Sequence, residues 1–160
     1  NVRDDELLFA PERCGGIAAE QLVGLCFSGK YDRAGVMKLV RGRGGLLAHL
    51  GTSDAMEVER RMARGDERAR LVYDAMLYTA AKSIGAMAAA AGGDIDRIIL
   101  TGGIAHSAYV ADYLTKKVHF IAPVEVMAGE FEMEALAAGA ARVLSGRETA
   151  HRFRDLAKGE

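Results

Sequence analysis

Residues 100–107, Leu-Thr-Gly-Gly-Ile-Ala-His-Ser, carry the most distinctive chemistry in this sequence. They follow a short apolar run, Arg97-Ile98-Ile99-Leu100, and precede a helical pattern that starts near Ser107. Gly102 and Gly103 lack a Cβ, so the chain can turn sharply there and a ligand can come close to the backbone. A helix N-terminus behind them would add unpaired N–H groups and a partial positive charge, which suits a phosphate. The same residues also suit a tight strand-to-helix turn that binds nothing. Arg13, between Pro11-Glu12 and Gly15-Gly16, is either an ordinary surface arginine or a guanidinium fork for phosphoryl oxygens. Glu130, Glu132 and Glu134 alternate where a late helix begins. They serve that helix dipole, or one of them holds Mg²⁺ directly or through water.

Two other patterns carry less. Gly24-Leu25-Cys26-Phe27-Ser28-Gly29-Lys30 has P-loop spacing up to its lysine. Tyr31 then stands where a Ser or Thr should bind magnesium, and the glycines span a helical pattern rather than follow a strand, so the match reads as coincidence. His49, His106, His119 and His151 show no metal-ligand spacing and read as surface or strand residues.

The elements that would position these groups follow from periodicity and breakers. A strand or loop surrounds Leu7-Leu8-Phe9, and helices are predicted over Ala18–Phe27 and after an Asp32 cap. Gly45-Leu46-Leu47-Ala48-His49-Leu50 reads as a buried strand ending at Gly51. Thr52, Ser53 and Asp54 are all good N-caps, and Glu57 has capping-box spacing from Asp54, so a helix should run from there to about Arg64. A long helix from Glu67 to about Ala91 has only a narrow polar stripe, so it should be buried in the domain core or against another subunit. Strands are expected at 97–100, at Val118-His119-Phe120-Ile121 and at Glu125-Val126, with a helix near Ser107–Lys116; this makes a parallel βαβ unit. The last long helix should run from about Glu130 to Leu144, and His151 to Glu160 reads as a charged helix or frayed tail.

Composition narrows the class. The 160 residues are half apolar, enough for one domain with a core. A net charge of −1, from 21 basic and 22 acidic residues, argues against a general nucleic-acid binder. Ile84 to Ala91, the longest apolar stretch, is far short of the roughly 20 residues a membrane span needs. Cys14 and Cys26 suit a reducing cytoplasm better than a disulfide framework or a zinc site. The opening on Asn1 rather than Met reads as a processed product or a fragment.

A series of ordered segments together resembles one family, the acetate and butyrate kinases of the actin-like ATPase superfamily. Phe9-Ala10-Pro11-Glu12-Arg13-Cys14-Gly15-Gly16 resembles the family's Phe-Ser-Pro-Glu-Arg segment, and Cys26-Phe27-Ser28-Gly29-Lys30-Tyr31 follows in place. Leu50-Gly51-Thr52-Ser53-Asp54 resembles the nucleoside-pocket turn. Leu100-Thr101-Gly102-Gly103-Ile104-Ala105 is similar to the adenine- and phosphate-binding loop. Ile121-Ala122-Pro123 and Gly129-Glu130-Phe131-Glu132-Met133-Glu134-Ala135-Leu136 complete the pattern. Met56 replaces an arginine common in acetate kinases, which favours the butyrate branch.

The resemblance implies an α/β fold, a ribonuclease H-like half with a mixed sheet flanked by helices, missing strands at the N-terminus if the chain begins inside the domain. It implies transfer of the ATP γ-phosphoryl group to a short-chain carboxylate, giving an acyl phosphate and ADP with Mg²⁺. Arg13 would meet the transferring phosphoryl group. Asp54 would contact the nucleoside, and Thr101, Gly102, Gly103 and Ile104 would lie along the nucleotide. Glu132, with Glu130 as its neighbouring candidate, would be tied to magnesium. The family's N-terminal domain, with its acid pocket and another Gly-rich phosphate loop, has no counterpart here. Residues 1–160 would thus be the C-terminal nucleotide-binding and dimerisation domain, in a homo-oligomer. An alternative is a non-catalytic nucleotide-binding and dimerisation module, or a parent enzyme acting on acetate, propionate or a branched-chain acid.

Overall fold

A computed structural model describes residues 8–150. The expected tail from His151 and Leu7 of the Leu7-Leu8-Phe9 segment lie outside the described residues. Two short strands, β1 (Phe9–Ala10) and β2 (Arg13–Cys14), form an antiparallel hairpin around Pro11-Glu12. Five helices follow: α1 (Ala19–Cys26), α2 (Arg33–Val40), α3 (Gly45–Leu50), α4 (Ala55–Ala63) and α5 (Glu67–Ala90). Strand β3 (Ile98–Gly102) leads through a 3-10 turn at Gly103–His106 into α6 (Ala108–Val118), β4 (Val124–Ala128) and α7 (Glu132–Leu144). The class is α/β as expected, with the antiparallel and parallel pairs in two separate two-stranded sheets.

Most helices start where capping chemistry places them. The Asp32 carboxylate accepts from Gly35 N, Asp54 from Met56 N, Asp66 from Ala69 N, and the Ser107 hydroxyl from Val110 N. Glu57 does not close a capping box on Asp54; its carboxylate accepts from the Thr52 hydroxyl at 2.9 Å.

Gly45–Leu50 is a helix and not the expected strand. Leu and Ala favour helix, the run holds no β-branched residue, and periodicity cannot classify so short an apolar stretch. Gly51, at φ 76°, closes it in the left-handed conformation while its N–H bonds Leu47 O at 3.0 Å. Val118-His119-Phe120-Ile121 is not a strand either. Val110, Leu114 and Val118 are buried at helical spacing, so Val118 ends the apolar stripe of α6. The parallel βαβ unit survives with its second strand at Val124–Ala128, in register from Ile98↔Val124 to Gly102↔Ala128.

The core lies where α3, α4 and α6 meet the N-terminal half of α5. Leu46, Val58, Ala69 and Tyr73 have no exposure, and Met76 and Leu77 almost none. Burying each large apolar side chain contributes about 1.5–3 kcal/mol. Arg61 fastens three elements: its guanidinium donates to Leu50 O at the end of α3 and to the Asp66 carboxylate that caps α5, both at 2.9 Å. Helices α1 and α7 bury no residue among those described.

Candidate functional site

The Gly102–Gly103 turn is built as β3 ends. Gly102 sits at φ 84°, where a side chain would be strained. Its N–H donates to Gly129 O at 3.0 Å, and Gly129 N–H returns a bond to Gly102 O at 3.2 Å. The Thr101 hydroxyl points to the same Gly129 carbonyl at 3.4 Å. Gly103 has no positive φ, and a Cβ built on it would meet nothing within 4 Å. Ile104 and Gly103 are exposed in the 3-10 turn. That turn separates the glycines from α6, whose N-terminal N–H of Val110 is already taken by Ser107. The expected helix N-terminus directly behind the glycines is therefore replaced by the backbone of the turn itself.

Pairing of Gly102 with Gly129 brings Glu130 beside the turn. Helix α7 begins at Glu132, so Glu130 belongs to the preceding loop and not to the helix. Glu130, Glu132 and Glu134 are all exposed. Among the described residues no three His, Cys, Asp or Glu side chains converge as a metal site. A single carboxylate remains a sufficient protein ligand for magnesium, which commonly keeps waters and takes its other ligands from phosphate.

Arg13 lies on β2, exposed, with no hydrogen bond or ion pair to its guanidinium among the described residues. Its backbone is held closely. Gly42 and Gly44 donate to Glu12 O at 2.8 and 3.3 Å, and Leu47 N donates to Pro11 O at 3.0 Å. A Cβ on Gly44 would lie 2.5 Å from Cys14 N; one on Gly45, at φ 63°, would lie 1.8 Å from Ala10 O. The hairpin thus rests directly on the glycines that start α3. Next to Arg13, burial raises the Cys14 thiol above its ordinary value more than its backbone hydrogen bond lowers it. The thiol donates to Gly15 O at 3.1 Å.

Asp54 sits at the start of α4. Its Oδ1 accepts from Met56 N at 2.9 Å and its Oδ2 lies 3.6 Å from the Arg60 guanidinium, so an oxygen remains open to a hydroxyl. The turn and Glu130 are brought together by Gly129, and Arg13 and Asp54 are joined through α3. No hydrogen bond or ion pair among the described residues links Arg13 to Asp54 or to the 101–104 turn. Sequence inspection missed the Gly44-Gly45 seat and the carboxylate of Glu59, which accepts from the Ser107 hydroxyl at 2.6 Å. The glycine pair was visible as a signal; the Glu59 contact joins residues 48 positions apart and was not.

The remaining motifs resolve simply. Gly24 lies inside α1, so the P-loop spacing is coincidental. His49 lies on α3 and meets Phe9 edge-on at 5.8 Å between ring centroids. No helix of the described residues is long and apolar enough to cross a membrane.

The chain as a whole also resembles known proteins. The model of the Acetokinase family matches residues 8–149. The chain is 47% identical over 154 residues to butyrate kinase 2 of Clostridium acetobutylicum, covering 96% of this chain and 43% of that protein. It is 50% identical over 141 residues to the probable butyrate kinase 2 of Caldanaerobacter subterraneus subsp. tengcongensis, covering 88% and 40%. The chain therefore spans less than half the length of these curated relatives. Among solved structures, Porphyromonas gingivalis acetate kinase superposes with a TM-score of 0.76 at 24% identity, over 86% of this chain and 41% of that one. A propionate kinase from Francisella tularensis gives 0.69 at 20% identity, over 79% and 38%. The fold is that of these acetate and propionate kinases, and with a family model covering nearly all of its described residues the chain belongs to the acetokinase family.

Proposed function

We propose that this chain is the C-terminal, nucleotide-binding part of an ATP-dependent carboxylate kinase whose acid is butyrate or a close short-chain relative. The observation that carries the reading is the turn at 101–104. Gly103 has no φ requirement and open space in front of it, beside a glycine pair locked by reciprocal backbone bonds. Glycine at such a position leaves room for a ligand to reach the backbone. The two curated relatives above, both named butyrate kinases, support the choice of acid.

In this reading Thr101, Gly102, Gly103 and Ile104 lie along ATP or ADP, and Oδ2 of Asp54 accepts from a nucleoside hydroxyl. Arg13 has no ion-pair partner among the described residues, so its guanidinium is available to phosphoryl oxygens. The γ-phosphoryl group passes to a carboxylate oxygen as its bond to the ADP oxygen breaks, yielding acyl phosphate and ADP. Mg²⁺, when bound, neutralises phosphate charge, with Glu132 or Glu130 supplying a carboxylate directly or through water. This chain's share of catalysis is positioning and charge neutralisation. The carboxylate would be held by a domain outside the chain. A homo-oligomer in the cytoplasm completes the proposal, supported by Leu71, Tyr78 and Met87, which leave apolar surface exposed on α5.

The test is ADP release by the full-length protein with ATP, Mg²⁺ and butyrate. Arg13→Ala should lower kcat by about 100-fold or more while the KM for ATP changes little. Arg13→Lys should recover only part, since an ammonium cannot form the two-pronged contact. Unchanged kcat in both variants would return Arg13 to the role of a surface residue. The 160-residue chain alone should not turn over.

A further inference from the structure

We propose that Glu59 is a positioning residue that holds the nucleotide turn in place from the neighbouring helix α4. The inference rests on the reading that residues 101–104 contact the nucleotide. Glu59 lies on α4, the same helix that Asp54 caps. Its Oε1 accepts two hydroxyl protons, from Ser107 at 2.6 Å and from Tyr73 at 2.8 Å.

Ser107 is the joint on which the turn depends. Its backbone N–H donates to Ile104 O at 3.1 Å and so closes the 3-10 turn. Its Oγ accepts from Val110 N at 3.1 Å and caps α6. A hydroxyl has one proton to give, and here that proton goes to Glu59. Moving Ser107 thus disturbs the turn, the cap and the Glu59 bond together.

Tyr73 fixes the carboxylate from behind. Its ring is fully buried on α5, so its O–H needs a partner inside the protein, and Glu59 supplies it. Burial, reinforced by Glu59, pushes the Tyr73 phenol far above its ordinary value, so it remains a donor through the neutral range. The carboxylate is thereby pinned between a core tyrosine and the joint of the turn. Through Glu59 the turn is thus tied to α4, the helix that Asp54 caps.

The test uses the full-length protein, measuring KM for ATP, kcat and thermal midpoint together. Glu59→Ala should raise the KM for ATP about tenfold, the scale of a lost hydrogen bond to a charged group. Glu59→Gln keeps an oxygen that accepts from both hydroxyls and should stay within about threefold of the native KM. Tyr73→Phe leaves the Ser107 bond intact and should lower the midpoint with little change in KM. Ser107→Ala cuts the same link together with the α6 cap, so a native KM in it overturns the role of Glu59 even where Glu59→Ala does not fold. A native KM in folded Glu59→Ala or Ser107→Ala, alongside a Gly103→Val protein that loses nucleotide affinity, overturns the role of Glu59 while leaving the site reading intact. Native affinity in all of these variants, Gly103→Val included, overturns the site reading and this inference with it.

Discussion

Two of the chain's four glycine pairs look alike in the sequence and are opposites in the structure. Gly44 and Gly45 are glycines because protein atoms fill the space a side chain would take: added Cβ atoms would lie 2.5 Å from Cys14 N and 1.8 Å from Ala10 O. Gly102 and Gly103 face nothing within 4 Å. Only Gly102 of that pair is conformationally required, at φ 84°. One pair is spent on packing, to seat the hairpin that carries Arg13. The other leaves backbone bare at the surface, which is useful if something arrives from outside. A glycine pair in a sequence therefore announces close approach without saying whether the visitor is the protein or a ligand.

The strongest way to break this comparison is Gly45→Ala. A methyl group cannot occupy that space or adopt φ 63° without moving the hairpin. The cost should be about 3 kcal/mol or more, lowering the thermal midpoint by about 10 °C or preventing folding. A midpoint near native would mean that the hairpin does not rest on Gly45.

Gly103→Val should do the reverse. Circular dichroism and the midpoint should stay within about 2 °C of native, since nothing is displaced and stability changes at such sites are small. Nucleotide affinity of the full-length protein, read by calorimetry with ADP, should fall by at least about tenfold, as expected when a side chain blocks backbone approach. Native affinity in a folded variant would make the turn a plain connector.

Alkaline pH sharpens the contrast. The folded-state value of Tyr73 is raised, so its contribution is complete below the unfolded value of about 10 and is lost as pH climbs through the folded one. Hydrogen exchange at Ile104–Ser107 should quicken above pH ~10, and Tyr73→Phe should abolish that quickening. The Arg13 hairpin carries the raised Cys14 thiol, so with Cys14→Ala in place it should show no matching step. Equal response in both regions would remove the distinction.

The smallest effect belongs to a third kind of glycine. Gly24 lies in exposed α1 with no positive φ and nothing within 4 Å of a Cβ. Gly24→Ala should stabilise by about 0.5–1 kcal/mol in chemical denaturation and leave nucleotide affinity alone. Lost affinity would revive the P-loop spacing that the helix otherwise dismisses.

Much of this was legible beforehand, for reasons that differ by element. Helix α5 declares itself through length and an Asp66 start, and Asp32, Asp54 and Ser107 mark helix starts because an oxygen there satisfies a nearby N–H, a local event. The 101–104 turn was visible as glycines after a strand. Helix α3 was hidden because a six-residue apolar run fits either period. The run at Val118–Ile121 misled because Val118, a good strand former, completes an α6 stripe that only the packing reveals. Glu59 was illegible because its partners come from α5 and from the loop before α6, and no spacing encodes such a meeting.

The two bonds from Arg61 have a mechanical consequence. The hairpin is fastened to the head of α3 through Glu12 O and Pro11 O, and Arg61 fastens the tail of α3 to α4 and to the cap of α5. The joints on either side of α3 are thus braced, and the hairpin, α3, α4 and the cap of α5 should move as a single lever. When such a lever swings, the guanidinium of Arg13 and the carboxylate of Asp54 travel together. A probe attached near either residue would then report the same displacement.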